Sequence, residues 1–329
     1  MALQRAANEA AGAPESEGAA ASERSRGADD TGAAPDNHRT SDHEPPATPA
    51  QPITLNAADG QPLAAHWHPA RGEGPAIGVA VLAPATGVPQ AFYTRFAHWL
   101  AAQGVHSLRF DFRGTAASRP LRLRGFEAGF AHWTQDLDAA FGHALAQADG
   151  LPVSLIGHSI GGFLGPVAPR AAQLHRLLLV GAQSAYWRDF RVRQRLPMAL
   201  LWHGLMPLAT GLVGYFPGRA LRLGEDLPRG VAMQWAARPW RDPWHEAPVA
   251  TGYARALPPV HLIAADDDPF ATPAALARVA KHLSGIRPKL HTILTGHEGP
   301  ARIGHFDVFR PPCAPQVWPR LLQLAFPAE

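Results

Sequence analysis

The sequence predicts an α/β fold in which a doubly wound, mainly parallel sheet carries helices on both faces and an inserted helical cap. Strand-like and helix-like stretches alternate after residue 50, and several strand candidates are apolar throughout. Such alternation is typical of βαβ units with right-handed crossovers. The loss of this rhythm between residues 186 and 252 predicts the insertion.

Residues 1–50 are predicted to be a disordered, acidic, low-complexity tail. They carry four Arg and nine Asp or Glu, a net charge of −5, and Leu3 is their only Val, Ile, Leu, Phe, Trp or Tyr. This composition cannot bury enough apolar area to offset the chain entropy lost on folding. We therefore expect a core formed by residues 51–185 and 253–329, with the cap at residues 186–252.

The strand candidates are apolar runs bounded by turn residues. Residues 52–56 and 62–68 flank Asp59-Gly60, a dipeptide that favours a hairpin turn. Residues 77–83 are too apolar for a half-exposed strand, which predicts a central one. The other strand candidates are residues 105–110, 152–156, 176–180, 260–265 and 289–294.

The helix candidates place apolar residues at helical spacing. In residues 92–103, Phe92, Phe96 and Leu100 share one face, and Gly104 follows as a stop signal. The other helix candidates are residues 127–148, 160–173, 274–283 and 316–326.

Charge and cysteine content exclude several classes of protein. Of the 30 basic residues 28 are Arg, and they are scattered apart from clusters at residues 119–124 and 188–195. This pattern forms no continuous basic face, so we expect no nucleic-acid partner. The single Cys313 excludes an intramolecular disulfide. Because we find neither a secretory signal nor an uninterrupted membrane-length apolar run, we expect a cytoplasmic protein without stable membrane insertion.

Metals and organic cofactors are not expected. His66 and His68 fall on one face of a strand candidate, but no His-Glu-x-x-His or similar ligand pattern accompanies them. Glycine-rich phosphate-binding motifs are absent from the sequence as well. The sequence does not specify an oligomeric state.

Residues 157–162, Gly-His-Ser-Ile-Gly-Gly, lie between a strand candidate and a helix candidate. A serine in a sharp strand-to-helix turn needs small neighbours two residues before and two residues after it, which Gly157 and Gly161 supply. Ser159 would then stand above the carboxyl ends of the strands, beside a helix N-terminus. The alternative interpretation is a glycine-rich turn in which Ser159 caps the helix.

A serine nucleophile needs a base to accept its proton and a carboxylate to orient that base. Both residue types follow later strand candidates. Asp266, Asp267 and Asp268 follow residues 260–265, and His297 and His305 follow residues 289–294. The order Ser, Asp, His, each beyond a different strand, is that of the α/β hydrolases.

From residue 51 onward the chain resembles the α/β-hydrolase superfamily and, more narrowly, a bacterial subgroup of capped serine hydrolases. The resemblance is carried by ATGVPQAFYTRFAHWLAAQG, DFRGTAAS, GHSIGG, GYFPGRALRLGEDLPRGVAMQWA, DDDPFATP and IGHFDVFR. It implies that Ser159 is the nucleophile, His305 the general base and Asp268 the residue that orients the base. Asp268 directly precedes the Pro-Phe-Ala segment that matches the family's loop, and His305 lies within IGHF.

Two second choices remain for this triad. Asp267 is the second choice for the orienting carboxylate, because it shares the acidic turn with Asp266 and Asp268. His297 is the second choice for the base, because it lies about where many members of the superfamily keep their histidine.

An oxyanion hole requires two backbone N–H donors aimed at the reacting oxygen. Ile160 supplies one by its position after Ser159. The second donor is expected from the loop after residues 77–83, where Pro84-Ala85-Thr86-Gly87 replaces the His-Gly pattern of many relatives. Thr86 is the first choice for this donor and Ala85 the second.

These residues together predict a carboxylesterase-like serine hydrolase (EC 3.1.1) that acts on a small-molecule ester or acyl substrate. Thioesters and amides are alternative substrates. Five tryptophans of the inserted segment are expected either to line an apolar acyl pocket or to form the segment's own core: Trp187, Trp202, Trp235, Trp240 and Trp244. The rival functions are a non-catalytic ligand-binding protein of the same fold, and a cofactor-free acyltransferase or haloperoxidase that uses the same site.

Overall fold

A computed structural model of the chain describes residues 50–72, 74–237 and 247–328. Its strands are β1 (Gln51–Asn56), β2 (Pro62–His68), β3 (Gly78–Ala83), β4 (Val105–Phe110), β5 (Val153–His158), β6 (Arg176–Val180), β7 (Val260–Ala265) and β8 (Lys289–Ile293). They form one sheet in the order β1-β2-β4-β3-β5-β6-β7-β8. β2 pairs antiparallel with β1 and β4, and the remaining neighbours are parallel.

Nine α-helices belong to the described part of the chain. They are α1 (Thr94–Ala102), α2 (Phe130–Gln147), α3 (Ile160–Leu164), α4 (Val192–Leu200), α5 (Met206–Val213), α6 (Arg229–Ala237), α7 (Ala247–Ala254), α8 (Pro273–His282) and α9 (Val317–Ala325). A π-helical turn, Leu201–Leu205, joins α4 to α5. Helices α4 to α7 lie between β6 and β7 in the chain.

Two apolar clusters cover the two faces of the sheet. Phe96 of α1 and Trp318 of α9 belong to one cluster, and Trp133, Leu137 and Phe141 of α2 belong to the other. The strands β3, β5 and β7 are buried along their whole length. A parallel sheet with helices on both faces requires such continuous apolar strands, and the predicted doubly wound α/β fold is confirmed.

The predicted helix at residues 160–173 is wrong beyond its first turn. Helix α3 ends at Leu164, and short 3₁₀ turns follow at Gly165–Val167 and Pro169–Gln173. Pro166 and Pro169 have no N–H to donate to an earlier carbonyl, so an α-helix cannot continue regularly through them.

Strand β5 runs two residues further than expected, to His158, which brings it directly to Ser159. The predicted tail, apart from Ala50, lies outside the described residues, and so do Trp240 and Trp244.

Candidate active site

Ser159 lies in the sharp turn between β5 and α3. Its backbone has φ 52° and ψ −113°, a region that non-glycine residues rarely adopt. A Cβ on Gly157 would lie 2.6 Å from Gly162 Cα, and one on Gly161 would lie 2.6 Å from the carbonyl oxygen of Ala83. The close approach of three backbone segments therefore requires glycine on both sides of the serine.

His305 and Asp268 form a buried pair. His305 Nδ1 lies 2.8 Å from Asp268 Oδ2, and the two side chains are 5% and 2% exposed. Asp268 Oδ1 accepts hydrogen bonds from the N–H groups of Phe270 and Ala271, at 2.8 and 2.9 Å. A carboxylate that only accepts fixes the proton of His305 on Nδ1 and leaves Nε2 as the basic nitrogen.

The environment of Asp268 keeps it ionised. Burial by itself would raise the pKa of Asp268, but the charge of His305 and the hydrogen bonds from His305 and the backbone outweigh burial. The pKa therefore lies below its usual value. An ionised Asp268 would stabilise a positive charge on the His305 ring.

The two neighbouring aspartates have different partners. Asp267 accepts hydrogen bonds from the N–H groups of Ile303 and Gly304, at 3.0 and 2.8 Å, and so holds the loop that carries His305. Asp266 accepts from the N–H and hydroxyl of Thr295. The structure thus places Asp267 on the backbone of the histidine loop rather than on an imidazole.

Ser159 and His305 line the same cavity, which has a volume of about 170 Å³. His297, the second choice for the base, is exposed in the turn after β8 and does not line this cavity. The structure brings Ser159, His305 and Asp268 together and leaves both second choices in other positions.

The wall facing Ser159 comes largely from α4, α5, α6 and the segments between them, and it is mostly apolar. It includes Phe190, Met198, Leu201, Trp202, Met206, Phe216, Leu223, Leu227 and Trp235. Trp202 stacks on Trp235 with ring centroids 5.9 Å apart. Trp187 does not line the cavity and stacks instead against Arg188. Apart from Ser159 and His305, the polar side chains that the described part of the chain contributes to the cavity wall are Thr86, Gln183 and Gln194.

Hydrogen bonds connect residues 85–87 to Tyr93, Trp235 and Glu225. The Ala85 N–H donates to the hydroxyl of Tyr93 at 3.0 Å. Trp235 Nε1 donates to Thr86 Oγ1 at 3.1 Å, and the Glu225 N–H donates to the Gly87 carbonyl at 2.9 Å. Because its N–H is engaged with Tyr93, Ala85 is the poorer oxyanion donor.

The N–H groups of Thr86 and Ile160 are available as donors. Neither makes a hydrogen bond to any residue that the structure describes. Ile160 is the first residue of α3, so no carbonyl within the helix can accept from it. Thr86 lines the cavity beside Ser159.

A buried hydrogen-bond chain connects the loops of the site. His158 Nε2 lies 2.9 Å from the carbonyl oxygen of His305, which can only accept, so this nitrogen carries the proton. His158 Nδ1 then accepts from the Tyr93 hydroxyl at 2.8 Å, and that hydroxyl accepts from the Ala85 N–H. Burial lowers the pKa of His158 to about 3, which keeps the ring neutral.

Sequence reasoning missed Tyr93, His158 and Gly181 as parts of this site. Gly181 has φ 62°, and a Cβ on it would lie 3.0 Å from Cε1 of His305, so glycine makes room for that ring. For Gly181, the only signal in the sequence was its position directly after β6. Tyr93 lies in an apolar helix pattern that indicated only a core residue.

No group of three or more His, Cys, Asp or Glu among the described residues is arranged to hold a metal ion. His66 Nδ1 contacts Gln90 Oε1 at 3.0 Å, and His68 Nε2 accepts from Arg109 Nε at 2.9 Å. The histidine pair noted in the sequence therefore has protein partners.

The sequence of residues 74–209 matches the model of the serine aminopeptidase S33 family. This match includes Ser159 and ends before Asp268 and His305. Together with the strand order and the turn at Ser159, this match agrees with the solved structures described below. The chain has the α/β-hydrolase fold. No curated protein sequence matches it.

Solved structures of esterases and of a lipase share the fold of this chain. An esterase from Pyrococcus furiosus aligns with a TM-score of 0.55 at 13% identity, over 84% of this chain and 93% of the esterase. A soluble variant of monoglyceride lipase from Saccharomyces cerevisiae, in complex with a substrate analogue, aligns with a TM-score of 0.55 at 16% identity. The alignment covers 76% of this chain and 87% of the lipase. A thermophilic esterase from Thermogutta terrifontis aligns with a TM-score of 0.52 at 15% identity, over 83% of this chain and 97% of the esterase.

Proposed function

We propose that this protein is a serine hydrolase that cleaves a carboxylic ester through an acyl-enzyme. One observation carries the proposal: a serine in a strained strand-to-helix turn lines the same apolar cavity as His305, whose imidazole is paired with the buried Asp268. A serine hydroxyl is a weak nucleophile at neutral pH and becomes effective only beside a base of this kind.

In the proposed mechanism, Ser159 Oγ attacks the ester carbonyl while His305 Nε2 takes its proton. The N–H groups of Thr86 and Ile160 donate hydrogen bonds to the oxyanion, and each stabilises the transition state by about 3 kcal/mol. His305 then returns the proton to the leaving alcohol. Water, deprotonated by the same imidazole, releases the acid. No cofactor takes part.

The cavity favours a small, uncharged acyl group. Among the described residues, no Asp, Glu, Lys or Arg side chain lines it, and apolar side chains form most of its wall. Its volume of about 170 Å³ is below the roughly 300–1,000 Å³ that is common for ligand pockets. We therefore propose short-chain esters as substrates, and the cytoplasmic location predicted from the sequence is part of the same proposal.

A fluorophosphonate probe tests the mechanism. We expect it to label the wild-type protein and Ser284→Ala, a control at an exposed serine, and to leave Ser159→Ala unlabelled. p-Nitrophenyl acetate or butyrate should be hydrolysed faster than palmitate. Absence of labelling in folded wild-type protein would favour the non-catalytic ligand-binding function. Labelling without ester hydrolysis would favour the acyltransferase or haloperoxidase chemistry.

A further inference from the structure

The continuous helix formed by α4, the π-helical turn and α5 is apolar on the side that faces solvent. Val192, Leu196, Leu200, Leu205, Leu208 and Leu212, here called the apolar stripe, are each between 39% and 73% exposed. The helix Val192–Val213 is the one described helix that is long and apolar enough to cross a membrane by length and composition, and 17% of its apolar window is buried.

The π-helical turn keeps the stripe on one side of the helix. Residues four apart, such as Leu196 and Leu200, share a helix face. The next member, Leu205, is five residues further on, and the intervening turn has the wider i to i+5 hydrogen-bond pattern. With 22 residues at 1.5 Å per residue, the helix is about 33 Å long.

The opposite side of the same helix is already occupied. Met198, Leu201, Trp202 and Met206 line the cavity above Ser159. Burial within the protein therefore accounts for the inner apolar face but not for the outer one. A contiguous exposed apolar face of this kind marks an interaction surface.

Both arginine clusters of the sequence meet this helix, one at each end. Arg188, Arg191 and Arg193 are exposed at its beginning. At its end, the Arg124 guanidinium lies 3.5 Å from the carbonyl oxygen of Leu212. Arg122 and the fully exposed Leu121 belong to the same loop as Arg124.

The charged residues of this surface are predominantly basic. Asp189 is the only acidic residue between positions 186 and 224, and it is paired with Arg278. The first turn of α4 holds no acidic residue. The nearby arginines therefore add positive charge to the helix N-terminus, which already carries a partial positive charge. An external anionic partner would neutralise this unfavourable charge.

We propose that the apolar stripe and the arginines at its two ends form a peripheral docking surface for an anionic lipid bilayer, with the helix lying in the plane of the headgroups. Leucine on one face together with clustered basic residues is the composition of interfacial helices. This inference depends on the surface residues and not on the proposed hydrolase activity.

Two other occupants fit less well. A second copy of the chain would bring arginines against arginines, because both ends of the stripe carry them. Residues 1–50 have the complementary charge, −5, but Leu3 is their only large aliphatic side chain, too little to cover six exposed residues.

Vesicle flotation of the full-length protein tests the proposal. We expect binding to phosphatidylcholine vesicles that contain phosphatidylglycerol, weaker binding to phosphatidylcholine alone, and release by high salt. The double variant Leu196→Glu/Leu208→Glu should lose at least tenfold in affinity, and Arg193→Glu severalfold. Ser159→Ala, which affects only catalysis, should bind like the wild type.

Matched controls lie elsewhere on the surface. Leu290→Glu on the edge strand β8 and Arg287→Glu alter an exposed leucine and an exposed arginine, and both should bind like the wild type. Equal losses in the stripe variants and the controls, no binding by the wild type, or retention on vesicles through high salt and alkaline washing would each overturn the proposal. Self-association that Leu196→Glu/Leu208→Glu abolishes would assign the stripe to a second copy instead.

Discussion

His305 is held in place by three separate contacts. Asp268 accepts from its ring, His158 donates to its carbonyl oxygen, and Asp267 holds Ile303 and Gly304 just before it. All three partners come from the ends of β5 and β7. The imidazole is therefore fixed by the sheet itself, which is the arrangement that a general base needs for efficient proton transfer.

Replacement of His305 should separate it from His297. We expect His305→Ala to lower kcat for a p-nitrophenyl ester by about 10²–10⁴-fold, because the transition state loses its general base. His297→Ala, in an exposed turn, should keep wild-type kcat. Steady-state kinetics measure kcat for the two variants. A loss of kcat in His297→Ala but not in His305→Ala would assign the role of base to His297.

Tyr93→Phe should weaken both stability and catalysis. The substitution leaves His158 Nδ1 and the Ala85 N–H buried without their partner, at a cost of about 1–3 kcal/mol in the free energy of unfolding. It also loosens the loop of Thr86, and misplaced groups lower kcat by roughly ten- to hundredfold.

The control for Tyr93→Phe is Tyr253→Phe. The Tyr253 hydroxyl is also buried and donates to the Phe163 carbonyl at 2.9 Å. Urea unfolding should show a loss of stability in both variants, whereas kcat should fall only in Tyr93→Phe. Equal kcat values in the two variants would reduce Tyr93 to a structural residue.

At the scale of elements, the turn from β5 to α3 depends on backbone contact with β3. Gly161 lies against Ala83, and Gly157 lies against Gly162. No side chain fits between these segments, so the turn needs the glycines regardless of the chemistry at Ser159.

Gly161→Ala should destabilise the fold. Its Cβ would lie 2.6 Å from the Ala83 carbonyl oxygen, and such overpacking costs about 1–3 kcal/mol. Gly211→Ala in α5 is the matched control, because nothing lies within 4 Å of its Cβ position. We expect that control to stabilise the protein by about 0.5–1 kcal/mol. Thermal or urea unfolding measures both effects, and a neutral Gly161→Ala would contradict the tight turn.

At the scale of the whole molecule, several histidines are buried in the neutral form. Burial lowers the pKa of His68 and His158 to about 3 and that of His261 to about 4. In the unfolded chain these rings take up a proton near pH 6.5. Between these values the unfolded state binds more protons, so stability is highest above pH 6.5 and falls as the pH decreases.

His68→Gln tests this acid sensitivity. The Gln oxygen can replace the imidazole nitrogen that accepts from Arg109, but it does not titrate in this range. Below pH 6.5 the wild type should lose up to about 1.4 kcal/mol more per pH unit than the variant. Urea unfolding at pH 7, 6 and 5 measures the difference. His297→Gln, at an exposed site, should follow the wild type, and identical slopes in all three proteins would contradict a neutral, buried His68.

The sequence alone determined the alternation of strands and helices, the central position of β3 and the turn at Ser159. These features rest on local apolar runs and glycine spacing, which the chain displays without reference to its fold. Even so, the extent of α3 was wrong, because the apolar pattern of residues 160–173 outweighed Pro166 and Pro169 in the prediction.

Only the tertiary structure decided which long-range partners meet. The spacing of the three adjacent aspartates does not separate them, and Asp268 was preferred only through the family resemblance. In the structure, the chain direction after β7 places Asp268 against His305 and Asp267 against the loop before it. The exposure of one face of Val192–Val213 is equally invisible in the sequence, since both faces of that helix are apolar. Contacts across many residues depend on how the sheet brings strand ends together, and no local pattern encodes that packing.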